Sequence, residues 1–257
     1  MSVDMSSPAV EQRAEKRAGK RRRGLVVAVG VVLVTSLVAN AALLYASLEF
    51  YRREQLVRLF PARVAPSAKA RREGRTQVLF LGDSRMEAWP DLPADRFVTV
   101  NAGVGGETTA QIRVRAAATL DAVRPELVVL QAGMNDLKTI GALPELARET
   151  EANCLGNLRA LVELCRERGA RVVLVPIYPA ARPSFVRRLV WSSEIDAARR
   201  RVNAALRERF LGAAGIALLD DSLVNPNVEG DYQDTLHFRP AAYLKLQAAA
   251  LEAFAAF

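Results

Sequence analysis

An α/β fold follows from three features of the sequence: a three-layer α/β/α sandwich around a mostly parallel five-stranded sheet, preceded by one transmembrane helix. Five short runs rich in Val, Leu, Ile and Phe recur along residues 77–257, and longer segments of helical character separate them. Runs that are apolar on both faces suit parallel strands covered on both sides, and strand alternating with helix gives an open sheet with right-handed crossovers. The third feature lies ahead of this region, where no charged residue occurs from Gly24 to Leu48.

That uncharged stretch is interrupted only by Thr35, Ser36, Asn40 and Ser47. As a helix it would be about 36 Å long, enough to cross a hydrocarbon core of about 30 Å with some tilt. Arg21, Arg22 and Arg23 bound it on one side and Phe50, Tyr51, Arg52 and Arg53 on the other, residue types suited to headgroup depth. A cleavable signal peptide is the rival, because Ala39, Asn40 and Ala41 resemble a cleavage site; the apolar run nevertheless continues past the roughly 7 to 15 residues normal for such a region. Seven Lys and Arg precede Gly24, against four in the 15 residues after Leu48, so the positive-inside bias places the N-terminus in the cytoplasm. The expected organisation is a basic cytoplasmic tail at 1–23, a membrane helix at 24–48, a membrane-proximal stalk at 49–76 and a folded domain at 77–257, on a bacterial inner membrane with the domain outside the cytoplasm. The stalk either carries a short amphipathic helix at Glu49–Phe60 near anionic headgroups or is a solvated linker.

Charge separates the two halves. The chain has a net charge of +8, but residues 1–76 hold 15 basic and 6 acidic residues, while 77–257 hold 21 and 22. A nucleic-acid enzyme would carry its positive charge on the folded domain, so no nucleic-acid partner is expected.

In the domain, strands are predicted at Gln77–Leu81, Phe97–Val100, Leu127–Leu130, Val172–Val175 and Ile216–Leu219, and helices at Thr108–Val123, Pro144–Arg168, Ser193–Leu211 and Pro240–Ala256. Gly169 and Gly212 stand after the middle two helices as stops. In such sheets reactive groups gather beyond the carboxyl ends of the strands. The first strand leads into Gly82, Asp83 and Ser84, the second into Asn101, Gly103, Gly105 and Gly106, and the third into Gly133, Asn135 and Asp136; Asp234 precedes His237 just before the last helix. Each fragment has a plainer reading, Asp83 or Ser84 as a helix cap and the glycines as turn formers.

Taken together and in order, the four blocks resemble the SGNH hydrolases, the GDSL-type esterases and lipases. Gly82-Asp83-Ser84 stands for the nucleophile block, Gly106 within residues 101–109 for the glycine block, Gly133-Met134-Asn135-Asp136 for the asparagine block and Asp234-Thr235-Leu236-His237 for the last. The resemblance covers residues 77–257 and implies a flavodoxin-like sheet and a serine esterase. The glycine block looks like that of the platelet-activating-factor acetylhydrolase branch, which suggests a short acyl group. Arg85 departs from the Leu of the family nickname; beside the nucleophile it weakens the case for a long-chain lipase site, or it points away to a carboxylate. A Gly-x-Ser-x-Gly elbow is absent from the sequence, against the separate α/β-hydrolase fold.

A serine hydroxyl needs a base within hydrogen-bond reach, and His237 is the only histidine in the chain. Asp234 can orient its ring across one turn, with Asp231 and Asp221 as fallback partners. The resemblance assigns the oxyanion donors to the backbone N–H of Ser84, the backbone N–H of Gly106 and the side-chain amide of Asn135. It implies no metal and no organic cofactor. Cys154 and Cys165 lie eleven residues apart on one predicted helix, about 16 Å in rise, too far to bridge; buried thiols are expected. The segment 176–193 is either a substrate-facing loop or a loop whose Trp191 packs on the core, and Arg199, Arg200 and Arg201 read as a solvated helix face. The expected activity is hydrolysis of short-chain, O-acetyl esters on envelope polysaccharide, with a lysophospholipase or thioesterase, and a non-catalytic envelope binding or assembly factor, as alternatives.

Overall fold

The computed structural model describes residues 8–59, 74–185 and 187–257, so residues 60–73 of the expected stalk and Val186 lie outside the described residues. The chain divides into two compact units, Met1–Arg58 and Leu59–Phe257, each described by itself.

The described residues of the first unit belong to one helix, α1 (Pro8–Leu59). Its segment Gly19–Phe50 contains an 18-residue window with a mean hydropathy of 2.4 and is long and apolar enough to cross a membrane, a property that a signal sequence would share. The short separate helix weighed for Glu49–Phe60 is a continuation of α1 as far as Leu59, because neither Gly nor Pro interrupts residues 31–59. Phe60, its expected last residue, lies outside the described residues.

The second unit is built on β1 (Thr76–Gly82), β2 (Phe97–Gly103), β3 (Leu127–Gln131), β4 (Arg171–Leu174) and β5 (Ile216–Leu218). Their order is β2-β1-β3-β4-β5. Every pairing is parallel, beyond the mostly parallel sheet expected, since each connection between strands carries a helix and none is a hairpin. Alternate residues of each strand face opposite layers. Leu79, Leu81, Val128, Leu130, Val172 and Leu174 pack with α3 (Thr109–Val123), α5 (Ala147–Glu167) and α6 (Ser193–Phe210). Val78, Phe80, Val129 and Val173 pack on the other side with α7 (Pro240–Ala255). Each fully buried side chain of this kind contributes about 1.5–3 kcal/mol.

Two of the long helices start at side-chain caps. Thr108 caps α3 in a reciprocal capping box with Gln111, and Ser192 caps α6. Pro144–Leu146 is a 3₁₀ turn, so the helix expected from Pro144 begins as α5 at Ala147. Cys154 and Cys165 on α5 are free and buried, and burial pushes both thiols well above their usual range. Trp191 is half-buried against the core. Arg199 corrects an expectation: it is 8% exposed and donates to the Ile177 carbonyl at 3.2 Å, while Arg200 and Arg201 on the same helix are solvated and pair with Asp196 and Glu151. A position on the turn that faces the sheet overrides the run of three like charges.

Two one-turn helices, α2 (Ser84–Glu87) and α4 (Met134–Leu137), follow β1 and β3 directly. The end of β2 lets α2 come close: a Cβ on Gly103 would stand 2.1 Å from the Glu87 amide nitrogen and 2.6 Å from the Met86 carbonyl carbon. Because backbone cannot move aside as a side chain can, Gly103→Ala is expected to destabilise the protein by at least about 1–3 kcal/mol. The check is the midpoint of urea unfolding of the full chain in detergent; an unchanged midpoint would refute the close approach.

Candidate active site

Asp83 and Ser84 sit where β1 ends and α2 begins. Asp83 is the N-cap: its Oδ1 accepts the Arg85 N–H at 3.0 Å, and its own N–H donates to the Gln131 carbonyl at 3.3 Å. Burial pushes the Asp83 carboxyl above its usual range, against the pull of Arg85. The capping reading is thus right for Asp83, and the cap leaves Ser84 as the first helical residue, half-buried.

His237 belongs to a tight loop closed by an antiparallel bridge between Tyr232 and Phe238, with the Gln233 N–H donating to the His237 carbonyl at 3.0 Å. The Ala181 N–H holds the loop to the segment after β4 by donating to the Thr235 carbonyl at 2.8 Å. Asp234 folds the loop onto itself, its Oδ1 accepting the N–H groups of Leu236 and His237 at 2.7 and 2.8 Å. Its Oδ2 lies 2.8 Å from His237 Nδ1, and His237 Nε2 lies 3.2 Å from Ser84 Oγ. An ionised carboxylate only accepts, so Nδ1 carries the proton and Nε2 is free to accept from the serine hydroxyl. Desolvation works against ionisation of Asp234, but the hydrogen bonds from the His237 ring and the two backbone N–H groups outweigh it and hold the carboxyl at about 2. The fallback partners are occupied elsewhere. Asp231 is buried and accepts from Lys245 Nζ at 2.6 Å and from the Asn225 N–H at 3.0 Å, and Asp221 lines a separate hollow with Arg200 and Arg207.

Arg85 turns away from the serine and into the protein, where it is 3% exposed. Its partners are carbonyls and not the carboxylate the sequence suggested: Leu236 at 2.8 Å, Tyr178 at 3.1 Å and Pro179 at 3.3 Å. The guanidinium also lies 4.4 Å from the centre of the Phe238 ring. It therefore grips the residues on both sides of His237 from the position next to Ser84. So placed, it carries no information about acyl chain length.

The glycine and asparagine blocks meet beside α2. Gly106 has φ of +84°, a left-handed conformation that side-chain-bearing residues rarely adopt. The next residue, Glu107, is buried and paired with Arg115 at 2.7 Å, and Arg115 also donates to the Gly82 carbonyl at 3.2 Å. The Glu107 carbonyl accepts from Asn135 Nδ2 at 2.9 Å, and Asn135 Oδ1 accepts from Lys138 Nζ at 2.6 Å. Asp136 accepts the Thr109 N–H and hydroxyl at 2.9 and 2.6 Å, tying α4 to the start of α3. Glu107, Arg115 and Lys138 are not anticipated by the motif reading. A signal existed for Arg115, which occupies the apolar stripe of α3 between Ile112 and Thr119, and for Lys138, three residues after Asn135.

Comparison with known proteins gives the family and the fold. The GDSL-like Lipase/Acylhydrolase family matches residues 73–245. No curated protein matches the chain significantly. Among solved structures, a GDSL-like lipase from Bacteroides thetaiotaomicron is similar at 20% identity and a TM-score of 0.54, covering 77% of this chain and 95% of its own. A catalytic mutant of an acetylxylan esterase from Geobacillus stearothermophilus is similar at 19% identity and a TM-score of 0.52, covering 69% and 93%. At these identities the likeness to both structures is one of fold. The family match extends over two thirds of the sequence, from ahead of β1 into α7, and by it the chain belongs to the GDSL-like lipases and acylhydrolases, the SGNH hydrolases, and is a carboxylic ester hydrolase.

Proposed function

We propose that the protein is a membrane-anchored serine esterase that removes short acyl groups, O-acetyl above all, from a polar alcohol such as an envelope polysaccharide. The observation that carries this reading is the continuous line from Asp234 through the only histidine to Ser84, at 2.8 and 3.2 Å. Ser84 Oγ attacks the acyl carbon as its proton passes to His237 Nε2, and the Asp234 carboxylate stabilises the imidazolium. The backbone N–H groups of Ser84 and Gly106 and the Asn135 amide receive the oxyanion. Collapse breaks the ester bond, and the alcohol leaves with the proton from His237. Water then attacks the acyl-serine, giving its proton to the same nitrogen, and the carboxylic acid is released as Ser84 is restored.

A polar alcohol is favoured by Arg182, Ser184, Asn227, Glu229, Gln233 and Arg239, which line an open hollow of about 770 Å³ beside Asp234 together with Pro226, Val228 and Tyr232. The acetylxylan esterase named above shares the fold and is by its description an enzyme of acetylated polysaccharide. The apolar segment of α1, with its more basic N-terminal flank, supports a single-pass anchor in a bacterial inner membrane with the N-terminus cytoplasmic.

Three outcomes are expected. With the full chain in detergent and p-nitrophenyl esters of increasing length, acetate is the best substrate and Ser84→Ala abolishes turnover; equal rates for both proteins would sink the esterase reading, and a rate rising with chain length would transfer it to lipid esters. Asp234→Asn lowers kcat on the order of 10³–10⁴-fold. The sign of the Asp234 shift sets where this loss appears: a folded pKa near 2, below the usual ~3.9, keeps the carboxylate charged throughout the working range. The Asp234 carboxyl therefore adds no titration of its own from pH 5 to pH 9, kcat of Asp234→Asn stays below the wild-type value throughout that range, and wild-type kcat in the variant would count against the assigned role. A reporter active only outside the cytoplasm, fused after Phe257, is active; silence would reverse the orientation.

A further inference from the structure

The Asn135 carboxamide has a partner on each end, and the two have opposite polarity. Nδ2 faces the Glu107 carbonyl, which can only accept, at 2.9 Å, and Oδ1 faces the Lys138 ammonium, which can only donate, at 2.6 Å. The amide therefore has one orientation, and its NH₂ group keeps one hydrogen for a ligand after bonding Glu107. Lys138 opens the 3₁₀ turn Lys138–Gly141 directly after α4, three residues beyond Asn135, a spacing that puts both side chains on one face. The site as described so far gives this lysine no role.

We propose that Lys138 is a positioning residue for the oxyanion donor: it locks the Asn135 amide and draws its electron density toward Oδ1, so that the free Nδ2–H becomes a stronger donor to a developing negative charge. A charge-assisted bond at one end of a hydrogen-bonded chain strengthens the bond at the other. The effect is largest when the oxyanion carries full charge, so it lowers the barrier more than it tightens substrate binding. The inference rests on the esterase reading and on Asn135 as an oxyanion donor. It also predicts pH dependence. Lys138 is half-buried and feels Arg187 from the segment after β4, Asp83 from the cap of α2 and Asp136 from α4. Desolvation and then Arg187 pull its pKa below the usual lysine value, with the two carboxylates opposing them. As pH rises, Lys138 therefore loses its proton earlier than a surface lysine, and with it the polarisation of the amide.

The test measures kcat and KM for p-nitrophenyl acetate between pH 7 and pH 10. It uses the full chain in detergent and the variants Lys138→Met, Lys138→Gln, Lys138→Arg, Asn135→Ala and the double variant Lys138→Met/Asn135→Ala. Lys138→Met and Lys138→Gln are expected to lower kcat roughly tenfold with KM nearly unchanged, less than the ~100-fold or more that loss of a whole donor costs. The wild-type kcat falls on the alkaline side, and in Lys138→Arg, whose charge persists, that fall is absent. Because Lys138 acts through Asn135, adding Lys138→Met to Asn135→Ala lowers kcat little further. Wild-type kcat in both neutral variants, full additivity in the double variant, or an alkaline limb unchanged in Lys138→Arg would each overturn the proposal. Unfolding midpoints separate a folding defect from the expected effect, since a variant that is merely unstable recovers wild-type kcat per folded molecule. Turnover by Ser84→Ala equal to that of the wild type would remove the esterase reading itself, whereas an inactive Ser84→Ala beside a fully active Lys138→Met removes only the role of Lys138.

Discussion

The guanidinium of Arg85 is bonded to the carbonyls of Tyr178, Pro179 and Leu236 and lies over the Phe238 ring. Ser84 and His237 are 153 residues apart in the chain, and their 3.2 Å contact depends on holding the loop 232–238 against the end of β1. Arg85 does this from the residue next to the serine, with a planar fork of donors that can reach several carbonyls at once. The Tyr243 hydroxyl adds a bond from α7 to the Arg85 carbonyl at 2.9 Å, and the Tyr232 hydroxyl bonds the Pro179 carbonyl. The cation is desolvated, and that cost is offset only while all of these partners are present. A buried charge with so many long-range bonds makes the placement of His237 a property of the whole carboxyl end of the sheet.

The sheet supplies the second half of the same constraint. Parallel pairing in one register brings Gly82 beside Gly103 and Gln131, so the segments that follow β1, β2 and β3 leave the sheet side by side. The close approach of α2 to Gly103, the Arg115 bond to the Gly82 carbonyl and the Asn135 bond to the Glu107 carbonyl then lock the three exits to one another. The Glu107–Arg115 pair is nearly inaccessible on both sides, and removal of either partner would leave an uncompensated charge under the glycine turn. Rigidity at this place has a chemical consequence, because an oxyanion donor is effective only when it is aimed before the charge develops.

Much of this was legible in the residues. Apolar runs located all five strands to within a few positions, because burial on both faces demands continuous Val, Leu, Ile and Phe. Ser84, Asp234, His237, Gly106 and Asn135 could be named as candidates from block order and from the solitary histidine, and the structure brings the first three into one hydrogen-bonded line. The one-turn helices α2 and α4 were not visible, since four residues carry no period. Nor was the direction of Arg85, the burial of Arg199 or the pairing of Glu107 with Arg115. A charged side chain goes into the protein when carbonyls or an opposite charge wait there, and those partners come from segments 8 to 151 residues distant.

By itself the sequence determined the alternation of strands and helices, the separation of a basic, apolar N-terminal segment from a near-neutral domain, and the inventory of reactive groups, including a single histidine. These are matters of composition, period and count, which residues carry wherever they lie. Only the tertiary structure decided that Asp234, and neither Asp231 nor Asp221, meets His237, that Arg85 turns inward to the carbonyls beside His237, and that Lys138 sits on the Asn135 amide. Such outcomes depend on distances between residues far apart in the chain, and those distances exist only once the parallel register is set and the loops at its carboxyl ends have closed on one another.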